Sequence, residues 1–115
     1  MGLGMPFAIA AKMVNPEKPV VAVVGDSAFG FSAMELDTAS RYNLPLIVII
    51  INNNGIYSGV ENIDPTGPNN EIPVTALNPL VKYEKIAEAF NGKGYAVKTH
   101  EELDAALKEA FSAKV

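Results

Sequence analysis

Residues 19–55 read PVVAVVGDSAFGFSAMELDTASRYNLPLIVIIINNNG, and their order decides the fold. Pro19 to Val24 is a β-branched run that ends in Gly25-Asp26. A continuous apolar run of this length suits a strand covered on both faces, as in a parallel sheet. Ser32-Ala33-Met34-Glu35 has the S-x-x-E form of a capping box, which satisfies two orphan N–H groups at a helix start. The helix it opens is predicted to run to Tyr42, with Asn43 as its left-handed C-terminal residue and Pro45 barring continuation. Leu46 to Ile51 is a second fully apolar strand, stopped by Asn52-Asn53-Asn54-Gly55. Strand, helix and strand in this order form a right-handed βαβ unit.

Outward from that unit, residues 3–14 are apolar with good helix formers and predict a largely buried helix ending before Asn15-Pro16. On the other side, residues 58–79 hold four prolines, two glycines and four asparagines without a period. A loop of this length inside a compact domain is functional or disordered. Ser58 to Pro79 is therefore expected to be poorly ordered without a ligand. Lys82 to Phe90 predicts an amphipathic helix closed by Asn91-Gly92, and Gly94 to Lys98 a short third strand. Thr99-x-x-Glu102 is a second capping box, opening a last helix with Leu103, Ala106, Leu107 and Phe111 on one face. The alternation gives an α/β class, a three-layer parallel sheet with flanking helices. Three strands make a small sheet and the sequence stops on a helix. Residues 1–115 are thus expected to be the truncated core of one larger domain.

Composition removes several classes of function. The chain has 115 residues, 49% of them hydrophobic and 19% charged, which rules out intrinsic disorder. The net charge is −4 and the basic residues are scattered, so no nucleic-acid partner is expected. With no cysteine, a disulfide scaffold, a thiolate zinc site and a cysteine nucleophile are excluded. The single histidine, His100, leaves no partner for a His-rich metal cluster or a Ser-His triad. Leu44 to Ile51 is the longest apolar stretch, far short of the ~20 residues of a membrane helix. No membrane partner is expected, and with no signal peptide visible the protein is expected to be intracellular.

Ligands of open α/β sheets bind at the carboxyl ends of strands. Two successive strands here end in Gly25-Asp26-Ser27 and in Asn52-Asn53-Asn54-Gly55, and Asp26 and Asn53 are 27 residues apart, one helical crossover. If the strands are neighbours, a carboxylate and amide oxygens meet at one edge. Such a hard oxygen set suits Mg²⁺ or Ca²⁺ rather than zinc. So few protein ligands suit Mg²⁺, which keeps waters or takes substrate phosphates for the rest. The helix opened by Ser32 follows just after Asp26, and its N-terminal N–H groups would favour a phosphate. Each signal has a second reading: Asp after a strand is a turn former, and so is Asn-Asn-Asn-Gly. Weaker matches carry nothing. Gly25 to Gly30 has the spacing of a P-loop, but Phe31 stands where lysine is needed, and Gly2-x-Gly4 has no strand before it. His100 reads as a solvated first-turn residue, and Phe29 and Phe31 as ordinary packing or a cofactor wall.

The stretch GDSAFGFSAMELDTASRYNLPLIVIIINNNGIY resembles the binding motif of thiamine diphosphate-dependent enzymes, which opens with Gly-Asp and closes with an Asn pair. MGLGMPFAIAAK is similar to the segment upstream of that motif. GDSAFGFS, RYNLP, NNNGIYSG and YEKIAEAFNGKGYAVKTHEEL are most similar to 2-hydroxyacyl-CoA lyases and oxalyl-CoA decarboxylases. The resemblance covers nearly the whole chain except residues 60–76. It implies that Asp26, the Asn53 side chain and the Gly55 carbonyl bind Mg²⁺. Gly25, Ser27 and Ala28 would cradle the diphosphate of thiamine diphosphate, Ile56 and Tyr57 would close over it, and Met1 would be the large apolar residue that bends the cofactor. Ser27 departs from the glycine common after Gly-Asp but matches the CoA-linked branch. The resemblance further implies a carbon–carbon lyase acting on an acyl-CoA substrate, with a catalytic glutamate supplied by a second subunit in a homodimer or homotetramer. Nothing here matches the domain carrying that glutamate, so the isolated chain is expected to be inactive. A eukaryotic 2-hydroxyacyl-CoA lyase would be peroxisomal, any other member cytoplasmic. A non-catalytic Mg²⁺-diphosphate binding or assembly module stays open beside the enzyme.

Overall fold

The computed structural model describes residues 1–60 and 72–113. In chain order these form α1 (Gly4–Val14), β1 (Val21–Gly25), α2 (Asp26–Gly30), α3 (Glu35–Arg41), β2 (Ile47–Ile51), α4 (Glu84–Ala89) and α5 (His100–Ser112). β1 and β2 pair in parallel, from Val21 opposite Ile47 to Gly25 opposite Ile51. Parallel neighbours need a crossover, and α2 and α3 supply it. The α/β class with a parallel sheet and flanking helices therefore holds.

The residues of α1 at positions 5, 8, 9 and 12 are buried. That i, i+3, i+4, i+7 stripe packs on β1, α2 and α3. Phe7, Met13 and Val14, on the other side, are exposed. The helix is thus half buried, not largely buried, because the sheet meets one side of it. Pro6 is tolerated in the first turn, where an N–H has no helical partner. Lys12 is buried as well, its Nζ donating to the Lys18 carbonyl at 2.8 Å, which ties the end of α1 to the approach of β1. Below this layer Phe29 of α2 is the largest fully buried side chain. Its ring meets that of Tyr83 edge-on, 6.1 Å between centroids and 76° between planes. Such T-shaped pairs contribute about 0.5–1.5 kcal/mol beyond their buried area.

Three further sequence expectations need correction. The Ser32 capping box does not form. The chain enters α2 at Asp26, and Ser32 already lies in a run of tight turns, its N–H donating to Phe29 O and its carbonyl accepting from Glu35 N, both at 3.0 Å. A capping residue must stand outside the helical conformation, so α3 starts behind Met34 with no side-chain cap. The strands are also less covered than a doubly buried sheet. In β1 only Ala22 is buried, and in β2 Ile51 is exposed. Finally, Gly94–Lys98 is not a strand, and among the described residues the sheet has two strands. Among the described residues this segment has no ladder partner, and it lies against helices. A Cβ on Gly94 would come within 2.6 Å of the Glu84 carbonyl carbon, and Lys93 pairs with Glu109 of α5.

Other local signals hold. Asn43 is left-handed at φ 52°, and Leu44 N–H reaches back to Ala39 O at 2.9 Å, closing α3. α4 ends the same way at Asn91 (φ 64°), with Gly92 N–H on Ala87 O at 2.8 Å. α5 opens with the full Thr99–Glu102 capping box. Of the loop 58–79, residues 61–71 lie outside the described residues, so the expectation about its order is not addressed there.

Candidate functional site

The register of the sheet places the ends of β1 and β2 level, Gly25 opposite Ile51. Asp26 follows the first strand directly, and Asn53 follows the second by two residues. The Asp26 side chain is 1% exposed. Its Oδ1 accepts from the Ser27 N–H at 2.8 Å and its Oδ2 from the Gly55 N–H at 3.1 Å. Among the described residues no cation pairs with it. A buried carboxylate without a counter-charge is costly, and two amide donors offset part of that cost. A carboxylate has about four lone-pair sites, so both oxygens keep acceptor capacity.

Asn52–Gly55 is shaped locally. Asn52 Oδ1 accepts from Asn54 N–H at 3.1 Å, an Asx turn, and Asn54 is left-handed at φ 61°. Gly55 then lies opposite Ala76 in an antiparallel bridge, flanked by Ile56 N–H to Thr75 O at 2.8 Å and Leu77 N–H to Asn54 O at 2.9 Å. That bridge uses neither polar group of Gly55, whose N–H goes to Asp26. A Cβ here would stand 2.8 Å from Thr75 O. Asn53 directs its Nδ2 to the Tyr57 carbonyl at 3.1 Å, and among the described residues its Oδ1 accepts no hydrogen bond.

Asp26, Ser27, Asn53 and Gly55 are thus brought together at one sheet edge. Gly25 and Ala28 flank them on the same turn, half-buried. Gly2 stands beside Phe31, a Cβ on it lying 3.2 Å from Phe31 Cβ, which brings the exposed Met1 near the turn after α2. Ile56 is partly exposed and Tyr57 is 98% exposed. The residue missed in the sequence is Tyr83. Burial first, and then the negative charge of Asp26, hold its hydroxyl above the ordinary tyrosine value. Tyr83 directly precedes α4, and no spacing rule links it to Asp26.

A parallel sheet with a buried carboxylate after one strand and, among the described residues, an amide oxygen accepting no hydrogen bond after the next is an arrangement suited to a hard cation. The sequence profile of the family described as "Thiamine pyrophosphate enzyme, C-terminal TPP binding domain" matches residues 1–115. The chain belongs to this family, and is a thiamine pyrophosphate-binding domain. It is 50% identical to a 2-hydroxyacyl-CoA lyase of Oryza sativa subsp. japonica over 99% of its length, and 43% identical to 2-hydroxyacyl-CoA lyase 1 of Homo sapiens over 97%. It is 46% identical to the oxalyl-CoA decarboxylase of Escherichia coli (strain K12) over 99%. The chain spans 20–21% of the length of these relatives. Among solved structures, a thiamine diphosphate-dependent 4-hydroxybenzoylformate decarboxylase of Rhodococcus jostii RHA1 superposes with a TM-score of 0.80 at 30% identity. That match covers 98% of this chain and 21% of the other.

Proposed function

We propose that the native protein is a carbon–carbon lyase that cleaves a 2-hydroxyacyl-CoA into formyl-CoA and a shortened aldehyde, and that this chain holds its thiamine diphosphate through Mg²⁺. The observation that carries the metal is Asp26, fully buried, unpaired among the described residues, and held by Ser27 and Gly55. The Asp26 carboxylate, Asn53 Oδ1 and the Gly55 carbonyl form a small set of hard donors that suits Mg²⁺ with phosphate oxygens completing the shell. Gly25, Ser27 and Ala28 would line the diphosphate, Ile56 and Tyr57 would close over it, and Met1 would be the apolar residue against which the cofactor bends. When bound, thiamine diphosphate supplies the electron sink for breaking the bond next to a carbonyl. This chain's residues would bind and orient it, with Asp26 and Asn53 fixing one end.

The lyase reading rests on the identity to 2-hydroxyacyl-CoA lyases. The identity to oxalyl-CoA decarboxylase supports a second reading, in which carbon dioxide leaves instead of the aldehyde. The acyl-CoA contacts and the glutamate that activates the cofactor are assigned to other domains and to a second subunit of a homodimer or homotetramer. An intracellular site, peroxisomal in a eukaryote and cytoplasmic otherwise, goes with this activity. Calorimetric titration of the native protein with Mg²⁺ and thiamine diphosphate, then product analysis with a 2-hydroxyacyl-CoA and with oxalyl-CoA, tests the assignment. Cofactor binding with aldehyde release is expected. Turnover of oxalyl-CoA alone selects the second reading, and unchanged cofactor affinity in Asp26→Ala overturns the metal site.

A further inference from the structure

The segment from Asn53 to Val60 folds back on Asn53. Val60 N–H donates to the Asn53 carbonyl at 3.0 Å, while the Asn53 side chain donates through Nδ2 to the Tyr57 carbonyl at 3.1 Å. Tyr57 is left-handed at φ 64°. A non-glycine residue there costs of order 1–2 kcal/mol and persists where its surroundings over-determine it. Its ring is 98% exposed and contributes no packing that would offset that cost. What the conformation delivers is the carbonyl, aimed at Asn53. Gly59, at φ +76°, closes the arrangement. A Cβ on Gly59 would overlap the Asn53 carbonyl oxygen and stand 2.6 Å from its Cγ and 2.7 Å from its Cβ, so only glycine fits.

A primary amide has one donor end and one acceptor end. Spending Nδ2 on the Tyr57 carbonyl fixes which way the amide lies and leaves Oδ1 as the free end. We propose that Gly59 and the left-handed backbone of Tyr57 are a positioning device that sets the Asn53 amide with Oδ1 toward the metal. The inference rests on the reading above that Asn53 ligates Mg²⁺. Gly59 is a positioning residue, acting through Asn53.

The test uses Mn²⁺ as a paramagnetic stand-in for Mg²⁺, with thiamine diphosphate present, read by electron paramagnetic resonance in the native protein. Partners behind a metal ligand typically alter metal affinity about 10–100-fold, and Gly59→Ala is expected to weaken Mn²⁺ binding by that factor and to change the bound spectrum. Gly30→Ala, where a Cβ meets nothing within 4 Å, is expected to leave both unchanged. In an Asn53→Ala background, Gly59→Ala is expected to cost no further affinity. A further loss there shows a general folding role and overturns the proposal, as does native affinity and spectrum in Gly59→Ala. Should Gly59→Ala fail to fold, Asn53→Asp decides. It adds a charge that favours a cation but cannot donate to Tyr57 O, so weaker binding than native is expected and tighter binding overturns the device. Native affinity in Asn53→Ala removes the metal role of Asn53 and the proposal with it. Loss in Asn53→Ala with none in Gly59→Ala removes the proposal alone.

Discussion

Asp26 Oδ2 accepts the Gly55 N–H at 3.1 Å across 29 residues of sequence, joining the turn after β1 to the turn after β2. The carboxylate is buried, and among the described residues its hydrogen bonds come from two amides, Ser27 N–H on Oδ1 and Gly55 N–H on Oδ2. Asp26→Asn keeps an acceptor oxygen and drops the charge. Desolvating a buried ion costs several kcal/mol, against about 1 kcal/mol for one hydrogen bond lost. The ligand-free variant is therefore expected to be at least as stable as the native chain. The native chain should gain ~2.7 kcal/mol at 100 times the dissociation constant of its cofactor, and the variant nothing. Urea unfolding with and without Mg²⁺ and thiamine diphosphate measures both, and equal ligand stabilisation in the two proteins would refute the expectation.

Tyr83 sets an alkaline limit. Its folded-state pKa is raised, by burial and then by Asp26. The folded chain thus holds the phenolic proton more tightly than the unfolded chain. That stabilisation is complete below pH ~10, the unfolded tyrosine value, and is lost as pH rises through the folded value. Native protein should lose stability over this range, and Tyr83→Phe should lose less. Parallel urea midpoints at mildly and strongly alkaline pH check it, and identical slopes would count against the assignment.

Thr99 carries the start of α5, a helix with no fully buried residue. Thr99 Oγ1 accepts from Glu102 N–H at 3.2 Å, and Glu102 Oε2 accepts from Thr99 N–H at 3.2 Å and Lys98 N–H at 2.7 Å. Thr99→Ala should cost ~1 kcal/mol. The expected signature is a lower denaturant midpoint at an unchanged m-value, with loss of amide protection confined to residues 98–103.

Phe7, Met13 and Val14 on α1, Leu3 just before it and Phe31 beside Gly2 are exposed apolar side chains, as is Met34. Contiguous patches beyond a few hundred Å² mark interaction sites. The isolated chain should associate in a concentration-dependent way, and Phe7→Glu should weaken that association without changing the helical signal. Sedimentation velocity across a dilution series is the measurement, and a monomer at all concentrations would overturn it.

What could be read in the sequence was local or periodic. The apolar runs ending at Gly25 and Ile51, the left-handed Asn43 and the Thr99 box all depend on neighbours within a few residues. Asp26 and Asn53 were legible because strand ends and one crossover length suffice to bring them to one edge. Ser32 failed because a local cap motif competes with the turn that Asp26 starts. The segment 94–98 has strand composition, yet a strand exists only beside a partner, and composition names none. Tyr83 beside Asp26 and Lys12 on Lys18 O depend on how α4 and α1 dock. No spacing along the chain encodes those contacts.

The parallel register of β1 and β2 also divides the chain into segments of unequal tolerance. Because Gly25 and Ile51 are set level by the ladder itself, the route between them is free to vary in length. Adding residues to an exposed connection costs only a few tenths of a kcal/mol in closure entropy. One residue inserted within Val21–Gly25 or Ile47–Ile51 would invert every following side chain and shift Asp26 against Gly55 by a full residue. Insertions at exposed positions among residues 31–46, away from the buried Ala39, should accumulate readily in a library selected for cofactor binding, whereas the two five-residue strands should admit changes of side chain but not of length.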